Sequence, residues 1–112
     1  MVDGWPWRGG MAGIDAVDNK RVENNATMVK GVLLKTDADH TITGSVRAGK
    51  IDLLVDKKPI TSFAGEFTRL SVIPQYAPPT PKTLFLVIGP KSSFRIDRIR
   101  VLPVKGKGTI TK

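Results

Sequence analysis

The stretch HTITGSVRAGKIDLLVDKKPI, residues 40–60, decides the fold. In its first half Ile42, Gly44 and Val46 alternate with Thr41, Thr43 and Ser45. A period of two places successive side chains on opposite faces of a strand. Ala48 and Gly49 then supply a tight turn, with Gly49 tolerating a positive φ. From Lys50 to Val55 the residues Ile51, Leu53 and Val55 share one face, so the two runs read as a β-hairpin. Asp56-Lys57-Lys58-Pro59 reads as a second turn, and Ile60 to Gly65 as a third strand of low amphipathicity.

The same grammar extends outward. Phe67 to Val72 reads as a short strand. Pro74 to Pro81 holds four prolines in eight residues, and proline cannot donate to a ladder, so this is an extended loop. Thr83 to Ile88 is a continuous apolar run that reads as a strand buried on both faces, ended by Gly89 and Pro90. Phe94 to Val101 reads as the last long strand. Its phase slips, because Phe94 and Ile96 lie on one face and Ile99 and Val101 on the other. A β-bulge near Asp97 and Arg98 would restore one inward face. Upstream, Gly4 to Gly10 is turn-rich and aromatic, Met11 to Asp15 and Met28 to Leu34 read as short strands, and Arg21 to Thr27 as polar loop. No window of a dozen residues sustains a helical apolar period without Gly or Pro.

These signals predict an all-β protein, an antiparallel β-sandwich of at least six strands, forming a single domain over 1–112 with flexible ends near 1–9 and 105–112. The expected core is Ile42, Val46, Ile51, Leu53, Val55, Leu84, Leu86, Ile99 and Val101.

Composition narrows the function classes. The chain has 112 residues, 40% hydrophobic and 25% charged, with seven aromatics (two Trp, one Tyr, four Phe), as a folded domain requires. The absence of Cys excludes a disulfide scaffold, a cysteine-ligated zinc site and a thiol nucleophile, and a single His excludes a multi-histidine metal site. No run approaches the roughly 18 apolar residues of a membrane helix, so no membrane insertion is expected. The net charge of +8 is uneven. Residues 1–81 hold ten Lys/Arg and nine Asp/Glu, a balance of +1, and residues 82–112 hold eight Lys/Arg and one acid, Asp97, a balance of +7. A neutral body with a basic C-terminal third is a weaker nucleic-acid signal than a basic domain would be.

The order of motifs resembles the central strands of concanavalin-A-like (laminin-G-like) jelly-roll domains. Those read as H-x-V-x-V-x-V-R, then V-x-V-x-V-D-G-K-x-V, then W-x-G, and here they correspond to His40–Arg47, Ile51–Ile60 and Phe63–Gly65. Gly13-Ile14-Asp15, Leu70-Ser71-Val72, Leu84-Phe85-Leu86, and Phe94–Leu102 followed by Gly106-Lys107-Gly108 resemble further segments in order. Such domains are common in large planctomycete-type bacterial proteins, beside kinase or sugar-hydrolase-like modules. The resemblance spans residues 10–108 but only the C-terminal half of a full sandwich. It departs from the pattern at Lys57, where Gly is usual, and at Phe63, where Trp is usual. A partial jelly roll leaves an apolar face or edge uncovered, with the hairpin 40–55 unprotected; repacking as a compact small sandwich or dimerisation would cover it, and self-association through an isologous contact is expected in preference to a well-behaved monomer.

Few residues offer chemistry. His40 as a general base has Asp37 and Asp39 nearby in sequence but no nucleophile context, and reads better as a strand-start residue. Asp15, Asp52, Asp56 and Glu66 form no glycosidase-type pair such as E-x-D-x-x-E. Asp37-Ala38-Asp39 is a minimal fragment of a calcium loop and reads as a turn. Asn25-Ala26-Thr27 matches a glycosylation sequon, which carries no meaning without a secretory context. Trp5, Trp7 and Arg8, with Tyr76 from the Pro-rich loop, are the ligand-binding candidates, since indole faces stack on sugar rings and bases. The two Trp point to one side if their segment is extended. Arg95, Arg98, Arg100, Lys105 and Lys107 are the alternative, a polyanion-binding cluster.

The reading is therefore a non-catalytic binding or structural module, not an enzyme, with carbohydrate as the expected ligand and nucleic acid or another polyanion as the alternative. No cofactor or metal is expected. The sequence gives no compartment.

Overall fold

The structure is a computed structural model that describes residues 1–78, 80, 86, 87, 89 and 92–103. It is all-β and antiparallel, consistent with a β-sandwich. Its strands are β1 (Met11–Ala12), β2 (Ala16–Val17), β3 (Lys20–Arg21), β4 (Val29–Lys30), β5 (Ile42–Arg47), β6 (Lys50–Val55), β7 (Lys58–Ala64) and β8 (Leu70–Ser71). They form three sheets, ordered β1-β4, β3-β2-β8 and β5-β6-β7. The helical segments among the described residues are single 3₁₀ turns of three residues.

The hairpin of residues 40–60 folds as its alternation requires. Ile42 faces Val55, Gly44 faces Leu53 and Val46 faces Ile51 across β5 and β6. Gly49 takes φ +66° in the connecting turn. β6 and β7 are joined by a two-residue turn in which Asp56 and Lys57 both adopt positive φ, 51° and 67°. That is a type I′ turn, formed without the glycine that usually occupies its second position. The β6–β7 ladder shifts register between Leu53 and Leu54, opposite Pro59, which sits on an edge strand where a missing N–H is tolerated.

The first thirty residues form more structure than their pattern announces. Val17 and Lys20 pair across Asp18 and Asn19, another turn with two positive φ values, 50° and 60°. Behind it lies the hub of the N-terminal half, the Asn25 side chain. Its Nδ2 donates to the carbonyls of Ile14 (3.0 Å) and Lys20 (3.1 Å), and its Oδ1 accepts from Thr27 N–H (3.0 Å) and Thr27 Oγ1 (2.6 Å). Thr27 Oγ1 also accepts from Ile14 N–H at 2.9 Å, which satisfies this buried hydroxyl. Gly13 packs against the hub with φ +152°, and a Cβ there would meet Thr27 O at 2.9 Å.

Two links join this half to the large sheet. Thr61 Oγ1 of β7 donates to the Thr27 carbonyl at 2.7 Å. Arg69 donates to the Asp18 carboxylate from both Nε (2.9 Å) and Nη2 (2.6 Å), while its guanidinium lies 5.4 Å from the Phe63 ring. The pair with Arg69 holds the Asp18 carboxyl below its ordinary range. The core between these links is small: Ala12, Ala16, Val17, Val22, Val55 and Phe63 are buried.

The expected core and the expected last strand need correction. Of the nine core candidates only Val55 is buried; Ile51 and Leu53 are half-buried, Ile42, Val46, Leu86, Ile99 and Val101 are exposed, and Leu84 lies outside the described residues. Residues 94–101, expected as the last strand, join no ladder. The expected strand over 83–88 lies largely outside the described residues, and its Leu86 and Val87 carry no strand. Alternation identifies which residues suit a strand, but burial needs a second layer. Leu86→Ala, expected from the sequence to cost about 2–5 kcal/mol, removes a side chain already 60% exposed and belongs among changes of under about 1 kcal/mol. Residues 1–9, read from sequence as a flexible end, are bonded to the body through Met1, Asp3 and Gly4. Residues 105–112 lie outside the described residues.

Candidate functional site

The aromatic segment Trp5-Pro6-Trp7-Arg8 occupies a closed loop. Gly4 and Met11 exchange both backbone hydrogen bonds, at 2.8 and 3.0 Å, and pinch the loop at its base. Inside it, Arg8 N–H donates to Trp5 O (2.8 Å), Gly9 N–H to Pro6 O (3.1 Å) and Gly10 N–H to Trp5 O (3.2 Å). Pro6 at the first position of the 3₁₀ turn has the φ that the turn needs and no N–H to leave unpaired. Gly10 takes φ +74°, and a Cβ there would lie 2.6 Å from Gly31 O, so the exit of the loop requires glycine.

The segment is not extended: Trp5 precedes the 3₁₀ turn in a left-handed conformation, φ 48° and ψ 58°, and Trp7 lies within the turn. Trp5 is half-buried, with the Arg21 guanidinium 5.5 Å from its ring centroid. Trp7 is 66% exposed at the tip, beside exposed Arg8. The loop thus presents one exposed indole and one exposed guanidinium on a backbone held by its own hydrogen bonds. Tyr76 is half-buried on a separate 3₁₀ turn, Pro74–Tyr76. No ring contact joins it to either Trp among the described residues.

The basic cluster is divided. Arg95 pairs with Asp97, Nε to Oδ1 at 3.0 Å. Arg98 and Arg100 are exposed and make no ion pair among the described residues. Lys105 and Lys107 lie outside the described residues.

His40 has both ring nitrogens engaged. Nδ1 lies 2.7 Å from Asp56 Oδ2, and Nε2 lies 2.8 Å from the Lys35 amide nitrogen and 3.2 Å from its carbonyl. The hydrogen bond to Asp56 raises the His40 pKa above its ordinary value, and the same contact lowers that of Asp56. These partners make His40 a tie between the 35–41 loop and the β6–β7 turn. Asp52 pairs with Lys50 at 3.2 Å. Asp15 Oδ2 accepts from Ile73 N–H at 3.3 Å. Among the described residues no three His, Asp or Glu side chains gather as metal ligands, and no helix is long and apolar enough to cross a membrane. The sequon residue Asn25 has its amide wholly committed to the hub described above.

Comparison with protein-family models, with curated proteins and with solved structures finds no match.

Proposed function

We propose that the protein is a non-catalytic binding module that engages carbohydrate through the Trp5–Arg8 loop. The observation that carries this reading is Trp7, an indole two-thirds exposed on a loop closed by backbone hydrogen bonds. Leaving so large an apolar face in water is unfavourable unless a ligand covers it, and the apolar face of a pyranose ring is a matching surface. A preformed loop loses little conformational entropy on binding. Arg8 beside it supplies donors for hydroxyl or acidic groups on the sugar.

A second reading has its own observation. Arg98 and Arg100 are exposed without ion-pair partners among the described residues, within the basic C-terminal third, and suit a nucleic acid or another polyanion. Binding to a glycan array and to labelled DNA, each at two salt concentrations, distinguishes the two. Binding to neutral glycans with little salt dependence is expected. DNA binding that falls steeply with salt, without any glycan signal, would replace the first reading by the second.

A further inference from the structure

Residues 31–35, which follow β4, give their backbone N–H groups to different parts of the chain. Gly31 N–H donates to the Gly10 carbonyl at the exit of the aromatic loop, at 3.0 Å. Leu33 and Leu34 N–H donate to Asp3, just before that loop, at Oδ1 (2.7 Å) and Oδ2 (2.8 Å). Lys35 N–H donates to His40 Nε2 at 2.8 Å. The segment is thus a strap, tied to the aromatic loop near its start and to His40 at its end. The last tie differs in kind, because its acceptor is an imidazole nitrogen that gains a proton in the ordinary pH range.

The contacts of His40 fix its tautomer. Nδ1 lies 2.7 Å from Asp56 Oδ2, and a carboxylate only accepts, so Nδ1 carries a hydrogen. In the neutral ring Nε2 then has a lone pair and no hydrogen, which is what the Lys35 N–H requires. The Lys35 carbonyl stands 3.2 Å from the same nitrogen and receives nothing from it in this state. A proton taken from solvent at Nε2 reverses the contact. An imidazolium has two donors and no acceptor, so the Lys35 N–H loses its partner and the Lys35 carbonyl gains one. The charged groups facing the ring are Asp56, from the β6–β7 turn, and Asp3, from the N-terminal segment, and both favour the protonated form.

We propose that His40 is a protonation-operated latch on the 31–35 strap: the neutral ring holds the Lys35 amide, and the imidazolium releases that amide and bonds the Lys35 carbonyl instead. Nδ1 keeps its bond to Asp56 in both states, so the ring stays anchored while its far side changes partner. The ties of Gly31, Leu33 and Leu34 do not involve the ring, so the change is confined to the end of the strap. The latch is independent of the role proposed for Trp7.

Nuclear magnetic resonance on the isotope-labelled full chain tests it, from about pH 5 to about pH 9. At the alkaline end His40 is expected as the Nδ1–H tautomer, with a measurable coupling across the hydrogen bond from the Lys35 amide to Nε2. As His40 takes up its proton, that coupling is expected to vanish. The Lys35 amide is expected to lose protection against solvent exchange at the same midpoint, after correction for the intrinsic pH dependence of exchange. The Gly31, Leu33 and Leu34 amides are expected to keep theirs. An Nε2–H tautomer in the neutral ring overturns the proposal. So does a Lys35 amide equally protected on both sides of the titration, or a loss of protection that spreads along the whole strap.

Discussion

His40 Nδ1 and Asp56 Oδ2, sixteen residues apart in sequence, lie 2.7 Å from each other. Asp56 also accepts from Thr41 N–H through Oδ1 at 2.9 Å, and its own N–H donates to Thr41 O at 2.8 Å. One contact therefore fastens the loop before β5 to the turn after β6. It also couples the fold to pH. The His40 pKa is raised, so its contribution is full below about 6.5 and is lost as pH rises through its folded value. The Asp56 pKa is lowered, so its contribution is present above about 3.8 and is lost as pH falls through its folded value. Denaturant unfolding from pH 3 to 9 is expected to show greatest stability between these limits. His40→Ala is expected to flatten the decline above pH 6.5. An unchanged decline in that variant would place the titration elsewhere.

Asn25 is expected to be the most sensitive polar position in the N-terminal half. Asn25→Ala leaves the Ile14 and Lys20 carbonyls and the Thr27 N–H without their partner. The expected loss is about 2–3 kcal/mol by chemical denaturation. Thr27→Ser keeps the hydroxyl that bonds Asn25 and Ile14, and is expected to cost clearly less. Equal losses in the two variants would mean that the hydrogen bonds are not the source of the effect.

The turn after β6 should be improvable. Lys57 holds φ +67°, a conformation that costs an ordinary residue about 1 kcal/mol or more and glycine almost nothing. Lys57→Gly is expected to stabilise by about 0.5–1 kcal/mol, the strain relief exceeding the added entropy of the unfolded chain. A lower midpoint in urea would show that the Lys57 side chain makes a stabilising contribution that this account omits.

The legible part of the sequence was the part with strict alternation. Residues 40–64 announced three strands and two turns, because each β5 and β6 side chain has a cross-strand neighbour and each turn has a residue suited to it. The Asp18–Asn19 hairpin was missed because its strands are two residues long, too short for any period to register. The Asn25 hub lay inside a stretch read as polar loop, and its role depends on carbonyls distant in sequence. The run from Phe94 to Val101 has the composition of a strand, but pairing is a property of the partner edge as well. Trp7 stands out by residue type, whereas the left-handed Trp5 and the 3₁₀ turn that Pro6 begins, which keep the segment from being extended, leave no periodic signal.

The role of Trp7 is tested most directly by calorimetric titration of a glycan bound by the wild type, repeated with Trp7→Ala and Trp5→Ala. Removing a stacking indole forfeits about 1–3 kcal/mol, or roughly five- to 150-fold in affinity. The account predicts a loss of at least about tenfold for Trp7→Ala at unchanged thermal stability. It predicts a smaller effect on affinity for Trp5→Ala, whose ring lies under Arg21. Undiminished glycan affinity in Trp7→Ala would contradict it.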